Sequence, residues 1–351
     1  MPVEQAYSFL LSILFYMGIY TIVVISLNME AGYMGLPNFG KMMGVAAGAF
    51  TTSFFTWRLA LYLHNRLTGE PIVYSDYVRE NAMIVSRINE WLSASPGISL
   101  LLLLVTLIAS LAIGAVIGYI ASYPAIRLRE DYLGITLLAM AEVIRVIGYN
   151  YKPIAGGTLG MQVPDLFRWA GQHRFSVSVL IIVAIALIVY LVYQRMLSTP
   201  FGRVLRAIRD DEEAVSSLGR DIVAYRKRVI SAGTATAALA GALYALYTGS
   251  VIATAYDRVT WTFWPWVMMM LGGAGNNVGV LLGVGVFVIA RTTIYTYKNM
   301  LEAYIPFNVV WLDYLLLSVT IIAILMLRPQ GILPEKPIRT VKPLIRQNES
   351  T

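Results

Sequence analysis

The sequence predicts an all-α polytopic membrane protein with about eight to ten membrane segments, some of them broken or re-entrant helices. Composition is the first indication: 58% of the residues are hydrophobic and 13% are charged, whereas soluble domains have roughly 45–50% apolar and about 25% charged residues. The second indication is the recurrence of apolar runs long enough to span a bilayer. The third is the grouping of Lys and Arg in short loops between these runs, which is typical of cytoplasmic loops.

Several apolar runs are candidate spans, since a helix needs roughly 20 mostly apolar residues to cross a bilayer. The clearest are 8–27, 98–121, 176–195, 229–250 and 309–327. Weaker candidates are 42–63, 131–150 and 261–293. No small-residue cleavage site follows the first run, so we expect a span there and not a removed signal peptide.

Composition also excludes several kinds of chemistry. The chain has no Cys and only two His, His64 and His173, so we expect no disulfide, no thiol nucleophile and no His-rich metal cluster. No catalytic residue and no metal ligand is predicted. The formal charge of +7 is attributed to the cytoplasmic loops of a membrane protein and not to a nucleic-acid surface.

The stretch 35–42 matches seven of the eight positions of a phosphate-binding loop, G-x-x-x-x-G-K-[ST]. Met42 stands where a Ser or Thr hydroxyl would hold Mg²⁺, and the stretch lies between two apolar runs instead of between a strand and a helix. We therefore interpret it as a turn that enters a broken membrane helix. Gly44 and Gly48 predict a small-residue face that packs closely on another helix.

Basic loops set the orientation in the membrane. The richest short basic loop, 197–228, is predicted to lie in the cytoplasm. Arg127 and Arg129 form a second basic turn, so 131–150 would cross outward and 176–195 would return.

The remaining polar segments are placed by the same orientation. The segment 64–96 would lie outside, either as a docking element or as a connector with an interfacial helix. The basic tail, 336–351, reaches the cytoplasm only if 261–293 breaks and turns back. A Gly-rich stretch, 271–279, provides the break, because non-helical backbone at membrane depth persists where it is buried in protein or lines a cavity.

The cytoplasmic loop is predicted to contain two short amphipathic helices. From Arg203 to Leu218, apolar residues recur at helical spacing among charges. The acids at 210–213 suit the start of the second helix, where the helix dipole favours negative charge. Gly219 suits the end of that helix in a left-handed conformation. Taken alone, this surface is either a docking site for a soluble partner or a solvated connecting loop.

Motifs along the chain resemble, in order, those of the permeases of branched-chain amino acid ABC importers. They are GYMGLPNFGKMMGVAAGAF (32–50), IRLREDYLGITLLAMAEVIR (126–145), GGTLGMQVP (156–164), GRVLRAIRDDEEAVSSLG (202–219) followed by AGALYA (240–245), VMMMLGGAGNNVGVLLGVGVF (267–287) and MLRPQGIL (326–333). The resemblance covers about residues 8–333, and the second motif favours the LivM-like subunit over its LivH-like partner.

The sequence departs from the family pattern in several places. Asn38 and Lys41 stand near positions where the family commonly has a Ser and a His, and Glu130 replaces a Gly. The segment 64–96 is longer than the resemblance implies. These departures leave the identity of the substrate open.

The resemblance implies a permease domain, 1–335, that forms a translocation pathway for branched-chain or other hydrophobic amino acids and is not itself an enzyme. Its implied partners are two ABC ATPase subunits, which bind ATP and Mg, a second, LivH-like permease that completes a heterodimeric pore, an extracytoplasmic solute-binding protein and membrane lipid. The chain itself would bind no cofactor and no nucleic acid, and it would lie, multi-pass, in the cell membrane.

Other functions stay open at this stage. The same importer class could serve urea, short amides, sugars or nucleosides. A membrane enzyme would have Glu142 as its only candidate acid, without a partner His or Asp in a motif. A structural or sensory membrane protein would have no need of a coupling loop.

Two sets of residues are candidates for the transport function. The predicted coupling surface toward the ATPases is Arg203, Arg206, Ile208, Arg209, Glu213, Ala214, Leu218 and Gly219. Arg206 and Arg209 would face acids of the ATPase, while Val204, Ile208 and Val215 would fill its groove. The predicted pathway or gating residues are Gly35, Gly40, Glu142, Arg145, Gly156, Gly157, Gly160, Gly272, Gly273, Gly275 and Asn276.

Glu142 and Arg145 are three residues apart on one helix face near the middle of a predicted span. Charge at that depth is costly and should be paired or face a cavity. The two residues are interpreted as a structural ion pair or as part of a gate, and a contact with substrate is the least favoured role.

Overall fold

Helices make up the body of the molecule, because backbone N–H and C=O groups at membrane depth must be hydrogen-bonded within the protein. The computed structural model describes residues 3–128, 130–298 and 310–335. Its α-helices are α1 (Val3–Leu27), α2 (Lys41–Thr51), α3 (Trp57–Thr68), α4 (Asn81–Ser93), α5 (Pro96–Arg127), α6 (Glu130–Asn150), α7 (Lys152–Ala155), α8 (Arg174–Ser198), α9 (Pro200–Asp210), α10 (Glu212–Ser217), α11 (Ile222–Thr248), α12 (Trp264–Gly272), α13 (Asn277–Thr296) and α14 (Val310–Leu327).

Shorter elements interrupt or join these helices. Three π-helical segments occur among the described residues, at Asn28–Tyr33, Thr52–Thr56 and Val259–Phe263, and they extend α1, join α2 to α3 and lead into α12. Two 3₁₀ turns lie at Arg168–His173 and Ala253–Ala255. The strands β1 (Met161–Gln162) and β2 (Ser250–Val251) pair antiparallel, with Met161 opposite Val251.

Six of the described helical stretches are long and apolar enough to cross a bilayer: Glu4–Tyr33, Pro96–Pro124, Tyr132–Asn150, Arg168–Ser198, Ile222–Thr248 and Asn277–Thr296. The helices α2, α12 and α14 also belong to this body, so the described residues contribute nine segments. The predicted all-α polytopic membrane fold, with broken helices, is confirmed.

The helical body has two ends, and different short elements lie at each. α9 and α10 lie at one end, which we call the coupling end. The first span also finishes there, since Arg209 Nη1 donates to Gly32 O at 2.6 Å. α4 and the β1–β2 pair lie at the opposite, outer end. α11, with 27 residues, connects the two ends over about 40 Å, so the segments 64–96 and 197–228 are separated as the charge pattern predicts. The basic tail, 336–351, is outside the described residues.

α11 is the central helix, and its side chains from Val229 onward are mostly buried. Small residues on α2 allow α11 to approach closely. A Cβ on Gly48 would overlap the carbonyl oxygen of Ala238, and a Cβ on Gly44 would lie 2.7 Å from the carbonyl oxygen of Thr234. The predicted small-residue face of α2 is confirmed, and α11 is the helix that packs on it.

α12 and α13 form a helical hairpin at the stretch predicted to break, 271–279. The side chain of Asn276 caps α13 by accepting a hydrogen bond from Gly279 N at 3.2 Å. The reversal lies at the coupling end and is buried there, because Gly275 N donates to Asn28 Oδ1 at 2.9 Å in the last turn of the first span. The predicted reversal is confirmed, and it is packed against protein.

The close contact between α2 and α11 predicts opposite changes in stability for alanine substitutions at two glycines. Gly48→Ala should lower the melting temperature in detergent, because overpacking of a tight core costs typically about 1–3 kcal/mol. Gly97→Ala is the control: a Cβ there meets no atom within 4 Å, and a helical Gly→Ala change generally stabilises by about 0.5–1 kcal/mol. Equal melting temperatures for the two variants would contradict the packing described here.

Candidate functional site

The coupling end is built from two short helices whose ends are fixed by side-chain caps. Thr199 Oγ1 accepts from Phe201 N at 3.3 Å at the start of α9, and Asp211 Oδ1 accepts from Ala214 N at 3.0 Å at the start of α10. Gly219 follows α10 with φ +74°, a left-handed conformation that glycine adopts without strain. The predicted helix pair and its glycine stop are confirmed.

The two helices bury one face and expose the other. Leu205, Ile208 and Val215 are buried against the body. Their burial shows that the prediction placing Ile208 and Val215 in a groove of the ATPase is wrong, because these side chains already pack within this chain. The outer face presents the exposed members of the predicted set, Arg203, Glu213, Ala214, Leu218 and Gly219. Leu218 is 80% exposed and is the most prominent apolar side chain of this face.

Arg206 and Arg209 are both paired with Glu335. Arg206 Nε lies 3.0 Å from Glu335 Oε1, and Arg209 Nη1 lies 2.9 Å from Glu335 Oε2. The Arg206 guanidinium also lies over the Tyr33 ring, 4.8 Å from its centroid. The prediction that both arginines face acids of an ATPase differs from the structure, because an acid of the same chain already occupies them.

The environment of Arg209 keeps it charged. Burial acts to lower the pKa of its guanidinium, but the hydrogen bonds and negative charges of Glu335 and Asp210 together raise the pKa above its ordinary value. Asp210, which lies 3.3 Å from Arg209 Nε and is 69% exposed, acts in the same direction.

Glu335 is held by a segment, 328–335, that we call the C-terminal strap. Ile332 N and Leu333 N donate to the carbonyl oxygens of Leu271 and Gly272 at 2.9 and 3.0 Å. Asn276 Nδ2 donates to Pro334 O at 3.1 Å. The strap therefore joins α9 to the turn between α12 and α13.

The glycines of that turn serve the packing of the strap. Gly273 has φ +115°, and a Cβ there would overlap the carbonyl oxygen of Leu333. A Cβ on Gly275 would lie 3.0 Å from the carboxylate of Glu335, and one on Gly272 would overlap Gly279 O. Gly272, Gly273 and Gly275 are all buried against their own chain, and their place in a pathway stays a prediction. Asn276 acts as a helix cap and a strap contact.

Gly35 and Gly40 also allow close packing. A Cβ on Gly35 would lie 2.8 Å from Arg209 Cγ, and a Cβ on Gly40 would lie 2.7 Å from Leu137 O on α6. Neither glycine is among the residues that line the two cavities described beside α6. Their place in a pathway stays a prediction.

A fully buried ion pair joins the end of the first span to α2. Lys41 Nζ lies 2.8 Å from Glu30 Oε2, and both side chains are 0% exposed. Lys41 also donates to Ser26 Oγ at 2.9 Å, while Asn38 Nδ2 donates to Glu30 Oε2 at 2.9 Å. α11 approaches the pair at Gly233, where a Cβ would overlap Glu30 Oε1. The lysine of the phosphate-loop pattern is thus held by a carboxylate of its own chain.

The predicted glycines at the outer end form a turn above the β1–β2 pair. Gly156 and Gly157 are buried, and a Cβ on Gly156 would overlap Gly160 O. Gly160 packs on β2, because a Cβ there would lie 2.8 Å from Val251 O. Both glycines therefore allow the chain to close this turn, and their place in a pathway stays a prediction.

α4, within the outer segment 64–96, is folded onto the same region. Asn81 Oδ1 accepts from Gln162 N at 2.7 Å on β1, and Asn89 Oδ1 accepts from Asp165 N at 2.8 Å. Its apolar residues Ile84, Ile88 and Leu92 are buried. The part of the outer segment that forms α4 is thus ordered and packed on the rest of the chain, while its role as a docking element or as a connector stays open.

Glu142 and Arg145 meet as predicted and have a third partner. Arg145 Nε donates to Glu142 Oε1 at 2.8 Å. Arg258, at the start of the π-helical segment before α12, lies 3.5 Å from Glu142 Oε2 through its Nε. By residue count, Glu142 is about 18 Å from the start of α6 and about 12 Å from its end. A three-residue charge cluster therefore lies within the membrane-spanning part of α6.

Glu142 and Arg258 of this cluster line a cavity of about 470 Å³ on the side of α6. The apolar wall of the cavity is formed by Ile135, Leu138, Ala139, Val143, Val146 and Ile147. Charge at membrane depth that lines a cavity fits a transport pathway better than a lipid-facing surface.

Four important residues escaped the sequence analysis: Asn28, Glu30, Arg258 and Glu335. Glu30 gave a weak signal, since it is an acid directly after a long apolar run. Glu335 and Arg258 lie far along the chain from the residues they bind, so no local spacing relates them.

A many-span helical body with a capped amphipathic helix pair at one end and a charged cavity at membrane depth defines a membrane permease. The chain belongs to the family described as "Branched-chain amino acid transport system / permease component", whose profile matches residues 9–325. It is therefore a multi-pass component of a transport system and not an enzyme.

Curated relatives are also named as branched-chain amino acid transport permeases. The chain is 43% identical over 331 residues to "Probable branched-chain amino acid transport permease protein LivM" of Methanocaldococcus jannaschii, covering 93% of this chain and 94% of that protein. It is 28% and 29% identical to proteins of Salmonella typhimurium and Escherichia coli named "High-affinity branched-chain amino acid transport system permease protein LivM". Those two matches cover 63% of this chain and 55% of each relative. No solved structure matches the chain.

The strap contact yields a testable prediction. Glu335→Gln should destabilise the protein in detergent by on the order of 1–3 kcal/mol, because two arginines lose their negatively charged partner in a partly buried site. Thermal unfolding followed by intrinsic fluorescence measures the effect. Asp210→Asn is the control, since Asp210 is mostly exposed and should contribute at most about 1 kcal/mol.

Charge reversal tests whether the loss of stability comes from the ion pair of Arg209 with Glu335 or from substitution in general. Arg209→Glu and Glu335→Arg should each destabilise the protein, and the combined variant should recover part of the loss, since opposite charges meet again. Strict additivity of the two single effects would contradict the contact.

Proposed function

We propose that this chain is one of two permease subunits that form the pore of an ATP-driven importer for branched-chain amino acids. A second, LivH-like permease would complete the pore, two ABC ATPase subunits would bind ATP and Mg, and an extracytoplasmic solute-binding protein would deliver the substrate. The observation that carries this proposal is the α9–α10 pair, which is anchored inward by Leu205, Ile208 and Val215 and presents Leu218 outward.

The corrected coupling surface is smaller than the sequence predicts. Arg203, Glu213, Ala214, Leu218 and Gly219 are exposed and are proposed to contact the ATPases. Arg206, Arg209 and Ile208 are proposed to act inward, by connecting the surface to the strap and to the helical body. In this scheme a push on α9 is passed through Glu335 to the turn between α12 and α13.

The pathway is proposed to run along the exposed face of α6. Ile135 and Val143 on this face are 66% and 56% exposed, and Glu142 lies between them along the helix. A partner subunit is needed to close the face over the charge cluster, because charge is not left against lipid. The second permease is proposed as that partner.

The comparisons favour branched-chain amino acids over urea, short amides, sugars and nucleosides. All three curated relatives described above carry branched-chain amino acid transport in their names. The apolar walls beside α6 also suit an aliphatic side chain better than a fully polar solute.

Leu218 offers a direct test of the coupling surface. Leu218→Asp should reduce recovery of the ATPase subunits when the chain is purified in mild detergent, because an exposed apolar anchor is replaced by a charge. Leu159→Asp is the matched control, since Leu159 is 87% exposed at the outer end. ATPase recovery that falls equally, or stays unchanged, in both variants would refute the assignment of α9–α10.

Substrate is tested with the reconstituted complex. Proteoliposomes that contain both permeases, the ATPases and the binding protein should accumulate labelled leucine in an ATP-dependent manner and should not accumulate urea. ATP-dependent uptake of urea without leucine would replace the proposed substrate.

A further inference from the structure

The cavity beside α6 combines an apolar wall with two opposite charges at its edge. The apolar wall is formed by six aliphatic side chains, and Glu142 and Arg258 are the charged residues among those that line the cavity. We propose that this cavity is a transit site that binds a free α-amino acid with a branched aliphatic side chain. This inference rests on the proposed function and extends it to named residues.

One oxygen of the Glu142 carboxylate accepts a hydrogen bond, and the other accepts none. Arg145 donates to Oε1. Oε2 is enclosed and accepts no hydrogen bond, since the Nε of Arg258 at 3.5 Å is too far for a good one. A buried acceptor without a donor costs free energy. The α-ammonium of an amino acid, with its three donors, is the kind of group that satisfies this oxygen.

Arg258 supplies the complementary charge. Its side chain is 50% exposed, and arginine binds a carboxylate through two parallel hydrogen bonds. Asp257 fixes the backbone beneath it by accepting from Thr260 N at 2.9 Å and Thr260 Oγ1 at 2.8 Å. The arginine therefore projects from a capped, ordered helix start.

The ammonium and carboxylate of an α-amino acid are separated by a single carbon, so one molecule can meet both charges once the 3.5 Å contact between Arg258 Nε and Glu142 Oε2 opens. The zwitterion then replaces this long contact with two ion pairs and leaves the net charge of the site unchanged. Arg145 keeps Glu142 paired when no substrate is present, so the empty site does not leave a lone charge at membrane depth.

The apolar wall accounts for the choice of side chain. A branched aliphatic group buries its surface against Leu138, Ala139 and Val143, whereas a polar solute would leave hydrogen-bonding groups unpaired there. Ala139 is the small residue of the wall and is exposed, so it sets how large a side chain the cavity admits.

The absence of cysteine allows a direct binding test in the assembled, reconstituted complex. Ala139→Cys introduces the chain's single thiol, and leucine at millimolar concentration should slow its alkylation by N-ethylmaleimide several-fold, while urea should not. The control is Ala184→Cys, on an exposed position of α8, whose alkylation should be independent of leucine. Addition of Glu142→Gln or Arg258→Gln to the Ala139→Cys background should abolish the protection.

A second measurement does not depend on thiol reactivity. Ala139→Leu should reduce the uptake ratio of leucine to alanine by roughly tenfold, since a few methylene groups in an apolar pocket discriminate by that order. Ala184→Leu should leave the ratio unchanged.

The outcomes separate this inference from the proposed function. An importer that accumulates leucine but shows neither leucine protection at position 139 nor a changed uptake ratio would overturn the transit site alone. A wild-type complex that does not transport leucine would overturn the proposed function and the transit site together.

Discussion

Charged side chains and unpaired backbone groups cannot be left facing lipid hydrocarbon, and both the buried ion pairs and the irregular backbone of this fold follow from that constraint. The clearest example is the ion pair of Glu30 with Lys41, since both side chains are completely buried. The pair ties the end of the first span to the start of α2, and Gly233 lets α11 close over it. The π-helical segments and Gly-rich turns follow the same rule, because each irregular stretch of backbone is packed against another part of the protein.

The two candidate functional regions differ in how the chain satisfies their charges. At the coupling end, Arg206 and Arg209 both form ion pairs with Glu335, so the exposed face of the two helices is left with Arg203, Glu213 and Leu218. At membrane depth, Glu142 keeps an unsatisfied oxygen next to Arg258. The first arrangement is suited to transmitting force through a fixed contact. The second is suited to a charge pair that a passing solute can complete.

The sequence predicted the fold class, the helix pair at the coupling end and the reversal near 271–279 because each depends on local pattern: apolar length, caps and glycine. It failed where a residue's role is set by a distant partner. The sequence pattern predicts that Ile208 docks a partner, but its side chain is buried within this chain. Gly272 and Gly273 make room for a strap some 60 residues later, a contact that no local pattern indicates. Glu142 and Arg145 were found from spacing alone, whereas Arg258 comes from another element and required the structure.

The buried pair of Glu30 and Lys41 also constrains how the protein is made. Each residue alone would be an uncompensated charge in a segment entering the bilayer, and together they are neutral. We therefore expect the first span and α2 to enter the membrane as a pair, because the carboxylate and the ammonium are neutral together and only residues 34–40 connect the two helical segments.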